Sequence, residues 1–71
     1  MEKVLREALI LKYEGEIAQA NANITVYLTN PVGIGEHPDV VGAIDTQIEA
    51  MAHAEEKLLC VKTHFVPERV V

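Results

Sequence analysis

Two groups of potential metal ligands occur in the second half of the chain. Glu49, His53 and Glu56 are spaced i, i+4 and i+7, so they share one face of a helix. Cys60 and His64 are also four residues apart, and both groups carry ligands suited to divalent ions. Neither group gains a third or fourth ligand from a facing helix, and the Glu-x-x-His motif of di-iron bundles is absent. We therefore interpret the first group as a solvated polar face and Cys60 as a small, partly buried apolar residue, and expect no metal and no cofactor.

Nucleophilic catalysis is not supported by the positions of the histidines. His37, His53 and His64 lie in the predicted turn, in the middle and at the open end of a long molecule, too far apart to cooperate. We therefore predict that the protein is not an enzyme and has no catalytic residues. A metal-dependent bundle enzyme remains a competing hypothesis, which metal analysis of the purified protein decides.

A glycine- and proline-rich stretch lies near the middle of the chain. Gly33 and Gly35 are able to shape a backbone nest for an anion. Two neighbouring carboxylates, those of Glu36 and Asp39, would repel a phosphate, and the longer glycine-rich nucleotide motifs are missing. The stretch is longer than a hairpin needs, so a partner-binding role stays open for Val32, Gly33, Ile34, Gly35, Glu36 and His37.

Length and charge exclude several classes of protein. A chain of 71 residues forms one small domain at most, with a marginal core. Its formal net charge of −5 and the lack of a basic cluster argue against a phosphate backbone as the main ligand. A single cysteine cannot form an internal disulfide, the charged start carries no secretory signal, and the apolar run Ala8–Leu11 is too short to cross a membrane. We expect a cytoplasmic protein with no membrane partner.

The elements that carry these residues are predicted to be two long helices. Pro31 ends the first, at about residues 2–29, because proline disfavours helix in the residue before it. Residues 30–37 form the turn, and Pro38 suits the first turn of a second helix at about 38–65, with His37 as its N-cap. Residues 66–71 form a short tail, and the whole chain is one domain.

Both segments contain a seven-residue apolar repeat, which is typical of a helical seam. The first repeat consists of Ile10, Tyr13, Ile17, Ala20, Ile24 and Tyr27, and the second of Val41, Ile44, Ile48, Met51, Leu58 and Phe65. In an antiparallel hairpin, pairing Ile24 with Ile44 also places Ala20 opposite Ile48 and Tyr13 opposite Glu55. The predicted fold is an all-α antiparallel two-helix hairpin resembling a coiled coil, with a hydrogen bond from Tyr13 to Glu55.

Apolar residues away from this seam predict self-association. A two-helix hairpin cannot bury the apolar side chains that spread around the open end, namely Val4, Leu5, Leu9, Leu11, Leu59, Phe65 and Val66. We therefore expect a homo-oligomer, most simply a dimeric four-helix bundle. Pairs of alanines four apart, Ala18 with Ala22 and Ala50 with Ala54, either allow close helix approach or reflect helix propensity alone, and both interpretations stay open.

Three stretches carry a resemblance to a viral protein family. Residues Asn30–Asp39 (NPVGIGEHPD), Ala43–Asp45 (AID) and Ala54–Leu58 (AEEKL) resemble small uncharacterised helical-hairpin proteins of marine tailed bacteriophages. The similarity runs from about Lys12 to Leu58. It implies a viral origin, hence a host-cell cytoplasm, and assigns no role to any residue.

The expected function is that of an acidic helical module with a structural or protein-binding role. Its partners would be a second copy of itself and an unidentified protein with a basic surface. The alternative is a dimeric helical-hairpin regulator that binds RNA, an analogy at the level of the fold. It would need a cationic face, for which the only candidates near the open end are Arg6, Lys12, Lys57 and Lys62.

Overall fold

The computed structural model describes residues 2–30 and 39–66 of the chain. Two α-helices account for nearly all of them, α1 (Glu2–Thr29) and α2 (Val40–His64), and the two pack against each other. They run antiparallel, because Gln47 near the start of α2 contacts Asn23 in the second half of α1, whereas Lys57 near the end of α2 lies over Tyr13. The prediction of an all-α helical hairpin is confirmed.

The start of α2 is set by Asp39. Its side-chain Oδ1 accepts a hydrogen bond of 2.8 Å from the Gly42 backbone N–H, which makes Asp39 the N-cap. A side chain at Gly42 would force the Asp39 carboxylate out of its capping position, because its Cβ would collide with Asp39 Oδ2. The prediction of His37 as the N-cap was therefore wrong, and α2 begins at Val40 instead of residue 38. A short carboxylate is among the best acceptors for the free N–H groups of a first turn, and imidazole is not a favoured cap.

The face of α1 that contacts α2 follows the predicted repeat. Ala20 is buried on this face, and Ile17 and Ile24 beside it are half-buried. Side chains spaced alternately three and four apart fall in one line along a helix, which explains why a single stripe is covered. We call this stripe the inner face of α1; it comprises Ile10, Tyr13, Ile17, Ala20, Ile24 and Tyr27.

The corresponding face of α2 differs from the prediction. Val41, Ile48 and Phe65 were expected in the seam, yet they are 78%, 50% and 61% exposed. Ile44, Met51 and Leu58 are half-buried as predicted, and the positions between them are filled by Val40, Gln47, Ala54 and Val61. The prediction that the most hydrophobic residues of α2 complete the seam was therefore wrong.

Small side chains explain which residues of α2 complete the seam beside Ile44, Met51 and Leu58. Ala54 is 1% exposed and Ala20 is 2% exposed, so the two helices contact each other closely through alanine. A larger side chain at either place would push the helix axes apart. Of the four alanines in the two spaced pairs, only Ala54 is buried, which ties close approach within the hairpin to that position.

The register of the hairpin is also displaced by two residues from the predicted one. Lys57, and not Glu55, lies over the ring of Tyr13, and Gln47, and not Asp45, meets Asn23. The predicted hydrogen bond from Tyr13 to Glu55 was therefore wrong. Helix α2 is rotated about its axis relative to the prediction, because Gln47 and Ala54 face α1 where Ile48 was expected. The residues of α2 that meet α1 therefore differ from those predicted.

The hairpin is long and has little core. Among the described residues, only Ala20, Ala54 and Val61 are buried. The radius of gyration is 15.9 Å, whereas a compact domain of this length would have about 11 Å. Within the described ranges, neither helix has an apolar stretch of the length that spans a bilayer.

Candidate functional site

A polar groove of about 380 Å³ runs between the helices at the centre of the hairpin. Ala20, Ala50 and Ala54 form its base, where the small side chains leave room. Its walls are polar and come from both helices: Glu16, Gln19 and Asn23 from α1, and Gln47, His53 and Lys57 from α2. The groove is open to solvent, so it suits surface contacts better than enclosure of a small molecule.

One hydrogen bond crosses this groove. The Asn23 side-chain N–H donates to Gln47 Oε1 over 3.1 Å, and both groups are partly buried. Within residues 2–30 and 39–66, it is the one side-chain hydrogen bond that joins the two helices. This hydrogen bond favours the observed register over slipped ones, because slipping would leave its partly buried donor and acceptor unpaired. Sequence reasoning missed the pair, although Gln47 occupies a repeat position three residues after Ile44.

Two lysines and one glutamate surround Tyr13 beside the groove. Lys12 Nζ lies 2.6 Å from Glu16 Oε2, and the ammonium groups of Lys12 and Lys57 lie 5.9 and 5.8 Å from the centroid of the Tyr13 ring. The hydrogen bond and the opposite charge of Glu16 raise the pKa of Lys12 above its usual 10.5. The same hydrogen bond lowers the pKa of the Glu16 carboxyl below 4.5.

This cluster is suited to holding charge and not to moving protons. Both shifts reinforce the charged forms of Lys12 and Glu16, so neither group is poised to exchange a proton near neutral pH. The lysines instead lie at distances typical of cation–π contact with Tyr13. Sequence reasoning placed Tyr13 at the edge of the seam but did not identify either lysine as its neighbour.

The potential metal ligands lie on the surface of α2. Glu49, His53 and Glu56 are all exposed, and Cys60 is a free thiol that is likewise exposed. The expectation of a partly buried Cys60 was wrong, because position 60 faces away from the seam lined by Leu58 and Val61. Among the described residues, no three Asp, Glu, His or Cys side chains lie close enough together to hold a metal ion.

The residues expected to mediate self-association do not form one patch. Val4 and Leu11 are seven residues apart on one side of α1, and Leu5 and Leu9 lie roughly 100–160° further round that helix. Leu59 is exposed on α2, Phe65 is exposed at its C-cap, and Val66 beyond it is half-buried. The turn residues considered for partner binding, 32–37, lie outside the described part of the chain.

The chain was compared with known protein families, curated proteins and solved structures. No family model matches it, and no curated protein or solved structure is significantly similar to it.

Proposed function

We propose that this protein is a non-enzymatic, acidic helical module that self-associates and acts through protein–protein contacts. Its assembly would be a dimer of hairpins with four helices, as in a four-helix bundle. The resemblance of its turn and second helix to phage proteins supports a viral origin, with a role in the cytoplasm of the host.

The exposure of large apolar side chains is the observation that supports this proposal. Ten large hydrophobic residues are at least 40% exposed, whereas only three residues in the described ranges are buried. They are Val4, Leu5, Leu9, Leu11, Val26, Leu28, Val41, Ile48, Leu59 and Phe65. Monomeric domains rarely leave so much of their apolar content in water, because its burial is the main stabilising term in folding.

Charge and the polar groove favour a second, different protein as a further partner. The net charge of −5 favours a basic partner surface through long-range attraction. The open groove offers several hydrogen-bonding side chains, among them Gln19 and His53, to such a surface. We place the docking of another protein there and the contact between copies elsewhere on the hairpin.

Light scattering across a size-exclusion peak tests self-association directly. The purified chain is expected to give at least twice the 7.8 kDa mass of one copy at micromolar concentration. Its melting temperature should also rise with protein concentration, because dimerisation stabilises the folded state by mass action. A monomer with a concentration-independent melting temperature would contradict the proposal.

RNA binding is the second candidate, and one observation favours it. Lys12 and Lys57 flank Tyr13, an arrangement able to contact a phosphate and stack a base. Two observations argue against RNA binding. Lys12 already forms an ion pair with Glu16 at 2.6 Å, and the net charge of the chain is negative. We expect no shift of RNA or DNA in a gel at low salt. Tight binding that weakens steeply with salt would support this candidate instead.

A further inference from the structure

Helix α1 carries a second stripe on the side opposite the seam. The stripe alternates steps of four and three residues along the whole helix, and every member is exposed and uncharged. At about 100° per residue, it lies roughly 180° from the inner face. We call it the outer face of α1; it comprises Val4, Ala8, Leu11, Gly15, Ala18, Ala22, Thr25 and Thr29.

Contacts within the described part of the hairpin do not explain why residue 15 is a glycine. It lies in the middle of the 28-residue α1, where glycine weakens a helix relative to alanine. A Cβ built there would meet nothing within 4 Å, so no contact with the described part of the hairpin excludes a side chain at this position. Gly42 contrasts with it, because the Asp39 carboxylate fills the space beside Gly42. The open space beside Gly15 leaves room for the close approach of a backbone outside this copy.

We propose that the outer face of α1 packs against the same face of a second copy, with the two α1 helices antiparallel and crossing at Gly15 and Ala18. The inference rests on the proposed self-association and assigns one surface to it, on which Val4 and Leu11 lie among the ten exposed large apolar residues. The four helices would then lie side by side in the order α2, α1, α1, α2, with every neighbouring pair antiparallel. This single layer would replace the compact four-helix bundle as the form of the dimer.

The order of side-chain sizes along the stripe supports this arrangement. When Gly15 faces the partner's Ala18, Leu11 faces the partner's Ala22 and Val4 faces the partner's Thr29. Large residues then oppose smaller ones, and the smallest pair lies at the midpoint of α1, where crossing helices are closest. A parallel pair would oppose Leu11 with a leucine and Gly15 with a glycine one turn later, and one distance between the axes would not suit both.

The charges beside the stripe are compatible with the same pairing. In the antiparallel arrangement, Lys12 lies near the partner's Gln19, and Glu14 lies near the partner's Asn21. Like charges are therefore not brought together along the contact. Antiparallel helix dipoles are also favourable, and no charged group on the stripe itself has to lose its water.

The hairpin exposes more surface than a compact domain of its mass. It exposes 5576 Å², whereas a compact monomer of its mass would expose about 4,400 Å². The excess of roughly 1,200 Å² belongs to the elongated hairpin as a whole and is compatible with a standard interface, in which each partner buries ~800 Å². A second copy of this chain is the occupant that offers a stripe of matching length and matching sizes.

Gly15→Leu tests the surface without endangering the fold. Leucine is a better helix former, and the hairpin leaves open space at this position, so helicity by circular dichroism should be equal or higher. Between two copies, however, its side chain would prevent close approach at the crossing point. We expect the dimer dissociation constant from sedimentation equilibrium to rise at least about tenfold.

The matched control is Ala52→Leu, which places the same side chain at an exposed position of α2. It should leave the dissociation constant unchanged. A wild-type dimer whose affinity is unaffected by Gly15→Leu would overturn the proposed surface while leaving self-association intact. A monomeric wild-type protein would overturn both.

Cysteine cross-linking tests the orientation in a Cys60→Ser background. Leu11→Cys mixed with Ala22→Cys should form a disulfide between copies, and neither variant alone should do so. In the antiparallel pair, Leu11 of one copy lies about 16 Å along the axis from the partner's Leu11, beyond the reach of a disulfide. Efficient cross-linking of Leu11→Cys to itself would overturn the antiparallel arrangement.

Discussion

The inner and outer faces of α1 have the same periodicity and different surroundings. The inner face presents three isoleucines and the buried Ala20 to α2, whereas the outer face presents Gly15, Ala18 and Ala22 to solvent. Both stripes alternate steps of three and four residues over almost the whole helix. Periodicity therefore indicates which surfaces are suited to packing, whereas side-chain size and the position of α2 determine which of them the hairpin covers.

The largest difference between the two faces is expected for a buried charge. Ile17→Asp on the inner face should lower the free energy of unfolding by about 2–4 kcal/mol, which is a large part of the roughly 4–10 kcal/mol that a chain this short has in total. Circular dichroism and thermal melting measure the loss. Ala52→Asp, at an exposed position of α2 outside both faces, is the control and should keep the helical signal. Full helicity and an unchanged melting temperature in Ile17→Asp would show that the assigned seam is wrong.

Added bulk should distinguish the close helix contact from open surface. Ala20→Leu is expected to lower the free energy of unfolding by about 1–3 kcal/mol, because Ala20 is only 2% exposed and the helices would have to separate. Urea unfolding at fixed protein concentration measures the change. The exposed Ala52→Leu should be neutral or slightly stabilising. Equal effects of the two substitutions would contradict close packing at Ala20.

The N-cap of α2 provides a smaller effect away from both faces. Asp39→Ala should lower the free energy of unfolding by about 1 kcal/mol, because the Gly42 N–H loses its acceptor. Asp45→Ala removes the same charge from an exposed position within α2 and serves as the control. If both variants unfold at the same urea concentration as the wild type, Asp39 does not cap the helix.

The smallest expected effect concerns the exposed pair of Lys12 and Glu16. Hydrogen bonding to Lys12 lowers the pKa of Glu16, so its slight contribution to stability is present above pH 4.5 and is lost as the pH falls through the lowered value. An NMR titration of the Glu16 carboxyl should give a midpoint below 4.5, and Lys12→Met should move that midpoint upward. A midpoint indifferent to Lys12→Met would mean that the pair does not persist in solution.

Sequence reasoning succeeded where one residue type dominates locally. The isoleucine repeat of α1 and the prolines around the turn predicted two helices and the inner face correctly, because helical periodicity and proline geometry are local properties. It failed in α2, where Ile48 was chosen for the seam over Gln47 and Ala54. Hydrophobicity alone favours isoleucine there, whereas close approach of two backbones favours alanine and a paired amide.

The candidate surfaces divide in the same way. The exposed apolar residues at the open end were predicted, since their number exceeds what two helices can cover. Their distribution over several sides of the hairpin was not predicted, because it depends on the rotation of each helix about its axis. The neighbours of Tyr13 changed from Glu55 to Lys57 for that reason, and a hydrogen bond was replaced by a cation–π contact.

The sequence alone was enough to predict two helices, their antiparallel packing, the acidic net charge and the exposure of many apolar side chains. These follow from repeat spacing, turn composition and charge, which act over a few residues at a time. The register, the burial of alanines where the helices are closest and the open space beside Gly15 are visible only in the folded hairpin. Those features depend on how two particular helix surfaces fit, and a rotation or a two-residue shift changes them without altering either helix.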